Sequence, residues 1–377
     1  MSEPAGPRPK GALLALEDGT TFPGLAFGAE GTVTGEVVFN TGMTGYTEIL
    51  TDPSYAGQMV CMTYPLIGNY GVTPEDFESR KLFLSGFVVR ELSRRASNWR
   101  SQGPLEDMLK AHGVIGIEGL DTRALVRHIR LAGAMKAALS TEALDKKELV
   151  EVARRSLGLV GRNLASGVSC TEPYAWTEPL PNVDMVPARF NVTVLDLGVK
   201  RNILRCLVSA GCRVKVVPYG STADDILSDS PDGVVISNGP GDPEPLFGVI
   251  RETRNLLGRV PIFGICMGQQ ILGQALGGKT FKLRFGHHGC NHPVEDVATG
   301  KVQITSQNHG FCVDIDSLDR SAVEVTHINL NDRTLEGFRH KELPAFAVQY
   351  HPEAGPGPHD ARHLFARFVQ LMEEGSR

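Results

Sequence analysis

Between residues 192 and 276, short apolar runs alternate with stretches whose apolar positions recur at helical spacing. Residues 192–195, 213–217, 234–236 and 261–265 predict strands, while 200–209, 223–227, 245–257 and 267–276 predict helices, the first and last of these ended by Gly211 and Gly277. Such alternation predicts βαβ units and a mostly parallel sheet covered by helices. Folds of this class bind ligands beyond the carboxyl ends of their strands. After Phe281 the pattern becomes β-rich, with runs at 302–305, 323–328 and 345–349, and it closes on a helix predicted over 359–373.

The N-terminal part follows a different pattern. Apolar runs at 13–16, 33–39 and 59–64, with the Asp18-Gly19 hairpin dipeptide, predict strands, and 114–117 adds another. Helices are predicted over 105–111, and over 122–131 between the cap residue Asp121 and Gly133. This part therefore reads as a mixed α/β unit. A charged amphipathic helix is expected over 144–157, and Pro173, Pro179, Pro181 and Pro187 make 158–190 irregular. The expected division is an N-terminal domain over 1–150, a linker over 151–190 and a second domain over 191–377.

A length of 377 residues agrees with two domains at roughly 150 residues each. The net charge of −5 and sequence pI near 6.1 argue against a nucleic-acid-binding surface. Seven dispersed cysteines with no CxxC pair argue against a disulfide framework or zinc ribbon. No signal-peptide core or membrane-length apolar run occurs, so the expected location is the cytoplasm, with no membrane partner.

Three motifs can carry chemistry. Gly264-Ile265-Cys266-Met267-Gly268 lies between a predicted strand and a predicted helix, which is a nucleophile elbow with sulfur in place of oxygen. The helix dipole favours negative charge at its start. His351 ends a strand candidate, and Glu353 two residues on shares its face, so a carboxylate can fix one imidazole nitrogen and leave the other for a thiol. Ser237-Asn238-Gly239-Pro240-Gly241-Asp242-Pro243 forms a rigid loop at the carboxyl end of the strand 234–236, with backbone N–H groups available to a ligand.

Taken together, GICMGQQ (264–270), the SNGPGDP loop and His351-Pro352-Glu353 resemble the class I, or triad, glutamine amidotransferases. Further segments narrow the resemblance to the small-subunit family of carbamoyl-phosphate synthetase: DLGVKRNILR (196–205), FGHHGCNHPV (285–294), SQNHGF (306–311), HPEAGPGPHD (351–360) and, before the linker, GEVVFNTGMTGYTEILTDPSY (35–55), ASNWR (96–100) and DTRALVRHIR (121–130). The resemblance implies a class I glutamine amidotransferase domain after the mixed α/β domain. Cys266 would attack the side-chain amide of L-glutamine, His351 would relay protons and Glu353 would orient His351. It implies an oxyanion hole from the backbones of Gly239 and Met267, and a glutamine site lined by Gly241, Gln270, Asn308, Gly310, Phe311 and, from the N-terminal region, Ser54. Met267 stands where leucine is expected, and Tyr350 where glycine or phenylalanine is usual. No cofactor or metal is expected in this chain. The implied partner is a large subunit that uses ATP with magnesium to make carbamoyl phosphate from bicarbonate and the ammonia supplied, for arginine and pyrimidine biosynthesis, and the N-terminal domain is expected to dock to it.

Two further motifs are set aside. Gly273 to Thr280 satisfies the P-loop expression, but the helix precedes the glycines rather than following them. His287, His288, Cys290 and His292 are zinc-ligand types at a spacing too cramped for one tetrahedral site. Other readings of the triad are another amidotransferase or a γ-glutamyl hydrolase. A non-catalytic interaction subunit is the alternative of a different class.

Overall fold

The computed structural model describes residues 10–142, 145–183 and 186–375. Expectations placed on 1–9, on Leu144 and on Asp184 and Met185 lie outside the described residues. The chain forms two compact units. The first comprises the residues up to Leu50 with Gly57–Phe77 and Lys81–Leu159, and the second Thr51–Ala56, Glu78–Arg80 and Val160–Arg377.

The first unit runs β1 (Gly11–Leu16), β2 (Thr21–Gly28), β3 (Thr32–Asn40), α1 (Tyr46–Thr51), β4 (Gln58–Met62), β5 (Leu66–Ile67), β6 (Gly86–Val88), β7 (Glu91–Leu92), α2 (Leu105–Ala111), β8 (Ile115–Glu118), α3 (Thr122–Ala132), β9 (Met135–Ser140) and α4 (Lys146–Arg155). Seven of its strands close a barrel in the order β1-β2-β8-β6-β4-β3-β9. Closure depends on β9 pairing antiparallel with both β1 and β3, contacts far apart in sequence that local periodicity does not report. The ends of α3 follow the expected chemistry: Asp121 accepts a hydrogen bond from Ala124 N–H, and Gly133 leaves the helix at φ 109°. Leu149, Val150 and Ala153 bury the apolar stripe of α4 against Ala15 and Ala138.

The second unit continues with α5 (Ala165–Val168), β10 (Tyr174–Trp176), β11 (Phe190–Asp196), α6 (Arg201–Ser209), β12 (Cys212–Pro218), α7 (Ala223–Ser228), β13 (Gly233–Ile236), α8 (Phe247–Leu256), β14 (Ile262–Ile265), α9 (Met267–Ala275), β15 (Thr280–Asp296), β16 (Val302–Val313), β17 (Val323–Asn329), β18 (Leu335–His340), β19 (Ala345–Val348) and α10 (His363–Gly375). Its ten strands order as β10-β12-β11-β13-β14-β19-β18-β17-β15-β16. The sheet is mixed. The run from β12 to β19 is parallel, and the strands beyond β19 continue it antiparallel. The proline-bearing stretch before β11 holds α5 and the short edge strand β10, which pairs antiparallel with β12.

Strand alternation explains the two covering layers. Leu195, Val234, Ile236, Ile262 and Ala347 pack with Ile226 of α7, Val249 of α8 and Ile271 of α9. Their neighbours Val194, Val235, Phe263 and Val348 pack on the other face with Leu204 of α6 and Phe368 of α10. Phe263 and Phe346 stack at 4.4 Å on that second face. A buried aromatic or aliphatic side chain here stabilises the fold by about 1.5 to 3 kcal/mol. Among the described residues, no helix is long and apolar enough to cross a membrane.

Candidate active site

The carboxyl ends of β13, β14 and β19 lie side by side, so the segments following them are neighbours. From β14 the chain passes directly into α9 through Cys266, at φ 55° and ψ −103°. A β-carbon normally avoids that conformation, at a cost of about 1 to 3 kcal/mol. The flanking glycines make the turn possible. A β-carbon on Gly268 would run into the carbonyl of Ile236, and one on Gly264 into the backbone of Gly268. Cys266 N–H donates to Val348 O at 2.8 Å, tying the elbow to β19, and its thiol donates to Asn308 O at 3.7 Å.

His351 follows β19 after Tyr350, and its N–H donates to Ser306 O of β16 at 2.9 Å. Its Nδ1–H donates to Glu353 Oε1 at 2.7 Å, which fixes the orientation of the ring. Nε2 has no hydrogen-bond partner and is left for Cys266. Burial pushes the imidazole pKa down, yet the Glu353 charge and the nearby sulfur outweigh it and hold it up at about 10. Glu353 is fully buried, and the Lys200 ammonium and His351 overcome burial to keep its carboxyl at about 2. Lys200 Nζ donates to Glu353 Oε1 at 3.0 Å and to Ala354 O at 2.6 Å. Lys200 is itself almost wholly buried, and burial is outweighed by Glu353, Glu78 and Asp52, which raise its pKa.

Hydrogen bonds link several of the residues expected to line the substrate site. Asn308 Nδ2 donates to Asp52 Oδ2 at 2.7 Å, and its Oδ1 faces His288 Nδ1 at 3.0 Å. Ser54 N–H donates to Asp52 Oδ1 at 2.8 Å, and Ser54 Oγ accepts from Asn238 Nδ2 at 2.9 Å. A single carboxylate thus positions both Ser54 and Asn308. Gln270 Nε2 donates to Phe311 O at 2.8 Å, and its Oε1 is unpartnered. Gly310 has open space where a β-carbon would stand. Gly239 sits against Leu197 O, and Gly241 adopts φ 78°. The Met267 side chain enters the core, which leaves its backbone at the start of α9 for any polar role. Tyr350 is buried with its edge to His327 at 5.7 Å.

Lys200, Asp52, Asn238 and Glu78 were not singled out from the sequence. Lys200 lies within DLGVKRNILR, Asn238 within SNGPGDP and Asp52 at the end of the 35–55 segment, but nothing in their local spacing marks them.

The histidine-rich strand β15 supplies a second buried polar cluster. His287, His309 and Glu336 offer ligand atoms within 4.8 Å of one another, the grouping of described residues best placed to hold a metal ion. Each of these groups already holds a protein partner, while His287 Nδ1 and Glu336 Oε2 have no hydrogen bond. His309 Nδ1–H donates to Phe311 O at 2.8 Å and His287 Nε2 pairs with Asp332 at 2.8 Å, while Glu336 Oε1 accepts from Asn329 and Gln307 at 2.7 and 3.0 Å. The set weighed from sequence is divided: the His287 and His292 rings lie 5.2 Å apart, while His288 turns to Asn308 and the Cys290 thiol to Pro356 O at 3.5 Å. The glycines of the P-loop expression lie within and after α9, with Gly277 at φ 90° ahead of β15, so no helix N-terminus faces them.

Comparison with known proteins agrees with this arrangement. Residues 14–139 match the family described as carbamoyl-phosphate synthase small chain, CPSase domain, and residues 193–371 match glutamine amidotransferase class-I. The chain is similar to the carbamoyl phosphate synthase small chains of Syntrophotalea carbinolica (58% identity, covering 96% of this chain and 98% of that one) and Solidesulfovibrio magneticus (53%, 96% and 98%). It is also similar to that of Nitratidesulfovibrio vulgaris Hildenborough (54%, 97% and 99%). With a relative this similar over nearly its whole length, and a nucleophile elbow beside a buried histidine–glutamate pair, the chain belongs to the carbamoyl-phosphate synthase small chain family.

Proposed function

We propose that this chain is the glutaminase subunit of a carbamoyl-phosphate synthetase, with Cys266 as nucleophile. Sγ attacks the side-chain amide carbon of L-glutamine, and the C–N bond breaks as His351 passes a proton to the departing nitrogen. Ammonia leaves and a γ-glutamyl thioester remains. Water, deprotonated by His351, then cleaves the C–S bond to release glutamate and the thiol. Glu353 orients His351 and stabilises its charged form, in the manner of a triad carboxylate. Backbone N–H groups of Gly239 and Met267 stabilise the tetrahedral oxyanion. Gly241, Gln270, Asn308, Gly310, Phe311 and Ser54 line the pocket for the glutamine head group, which needs a few directed polar groups.

The observation that carries this reading is the strained Cys266 elbow beside a buried imidazole whose Nδ1 is fixed by Glu353 and whose Nε2 is free. The large subunit is the partner and supplies the ATP–magnesium chemistry on bicarbonate, so this chain needs no cofactor of its own. Free ammonia is mostly protonated at neutral pH and then not nucleophilic, which favours a closed route between subunits. In this reading residues 1–150 dock to the large subunit, 151–190 connect and 191–377 hydrolyse glutamine, in the cytoplasm. The test is glutamate release by the full chain with and without a large subunit and ATP. Cys266→Ala is expected to abolish release that rises with the partner. Equal release by that variant, or none by the folded wild-type chain, would overturn the reading and favour an interaction subunit.

A further inference from the structure

Glu78 lies far from the triad in sequence, in a short segment that folds with the second unit. It is 1% exposed and bonded at three points. Its N–H donates to Thr51 Oγ1 at 2.9 Å, its carbonyl accepts from Arg201 N–H at 2.9 Å, and its Oε2 accepts from Asn202 N–H at 3.0 Å. The last two bonds satisfy the first turn of α6, immediately after Lys200. On its other side the carboxyl packs against Gly355, at φ 68°, where a β-carbon would collide with Glu78 Oε1 and Asn202 Nδ2. Glu78 therefore touches the two backbone stretches that the Lys200–Glu353 pair joins, the entry to α6 and the turn at 353–355.

We infer that Glu78 is a positioning residue for glutamine hydrolysis, holding the start of α6 and the 353–355 turn together so that Lys200 keeps Glu353 aimed at His351. This rests on the triad reading above. Glu78 touches no reacting atom and acts through Lys200 and Glu353. The charged groups facing it are Lys200 and Arg205 from the α6 side and Glu353 from the turn. Asp52 faces Lys200, and the buried Cys206 thiol of α6 is raised by burial and by these carboxylates. Burial, opposed by Lys200 and the Asn202 N–H, pushes the Glu78 carboxyl up to about 8. Near neutral pH it is mainly a neutral clamp, and as it ionises it competes with Glu353 for the one ammonium.

The test compares wild type, Glu78→Gln and Glu78→Ala in Cys266-dependent glutamate release by the full chain with its partner, at pH 6 to 10. Ala removes both the Asn202 bond and the contact with Gly355, and kcat is expected to fall about tenfold with the glutamine KM changed less than twofold. Gln retains an oxygen for the Asn202 N–H but cannot ionise. Between pH 7 and 9 the ratio of wild-type to Gln-variant kcat is expected to drop about two- to threefold. Parallel profiles for those two proteins, or a wild-type kcat in the Ala variant, would overturn the inference. So would a loss that appears only as a lower melting temperature. A wild type whose activity does not depend on Cys266 would instead overturn the triad reading, so the two failures are distinguishable.

Discussion

Two buried groupings of imidazole and carboxylate sit on the same sheet and are wired differently. At His351, one ring nitrogen is tied to Glu353, the other is free, and Lys200 balances the carboxylate. At His309 both ring nitrogens are engaged, by Phe311 O and by Gln307, and burial pushes its pKa well below the ordinary value. His287 beside it is the opposite case. Burial is outweighed by Asp332 and Glu336, which raise it to about 9. The difference separates a site that can move protons from a framework that holds strands β15, β16 and β18 in register. Burial and residue type are shared, and what stands beside the unpartnered ring nitrogen decides: the Cys266 sulfur at His351, and the Glu336 carboxylate, 3.7 Å away, at His287.

Substitutions can break or sharpen this contrast. His351→Asn should lower glutaminase kcat about a thousandfold, within the range for removing an acid–base group, as read by steady-state glutamate release. A variant retaining a tenth of the wild-type rate would mean that the free Nε2 is not used. Lys200→Met should leave Glu353 as a buried carboxylate with a single ionic partner, and losing one member of such a pair costs about 3 to 5 kcal/mol, read from the urea midpoint. The Glu353 carboxyl is depressed from its ordinary 4.5 to about 2, so its contribution is present above pH 4.5 and is lost as pH falls toward 2. The gap between wild type and Lys200→Met should therefore narrow in acid. An unchanged midpoint at pH 7 would contradict the role given to this pair.

The smallest effect belongs to the second cluster. Asp332→Asn should lower the melting temperature by a few degrees or less, because the half-exposed carboxylate is screened by water, and should change glutaminase activity less than twofold. His287 is raised from 6.5 to about 9, so its contribution is complete below pH 6.5 and is lost as pH rises through 9. Melting curves at pH 6 and pH 10 should show the gap closing. A gap that widens with pH would show that His287 is not the group Asp332 supports.

Local geometry written in contiguous residues was legible in advance. The elbow at Cys266, the His351–Glu353 spacing and the loop at 237–243 each occupy a few neighbouring positions, and the alternation from 192 to 276 announced the parallel core. Lys200, Asp52 and Glu78 were not legible, because a lysine, an aspartate or a glutamate in a polar stretch signals nothing until distant residues are folded around it. Barrel closure in the first unit escaped for the same reason, since β1 and β9 meet only in three dimensions. The antiparallel half of the large sheet lay between. Its strands were visible as β-rich text after Phe281, but β15 and β16 ran longer than their apolar runs because buried polar side chains such as His288, Gln307 and Asn308 occupy them.

The backbone at Cys266 also sets a direction for neutral drift. A glycine there would relieve about 1 to 3 kcal/mol of backbone strain while removing the sulfur. Loss of the nucleophile is thus a substitution that the backbone at this turn would favour, and a lineage released from the need for glutamine-derived ammonia would meet no conformational resistance there on the way to an inert descendant.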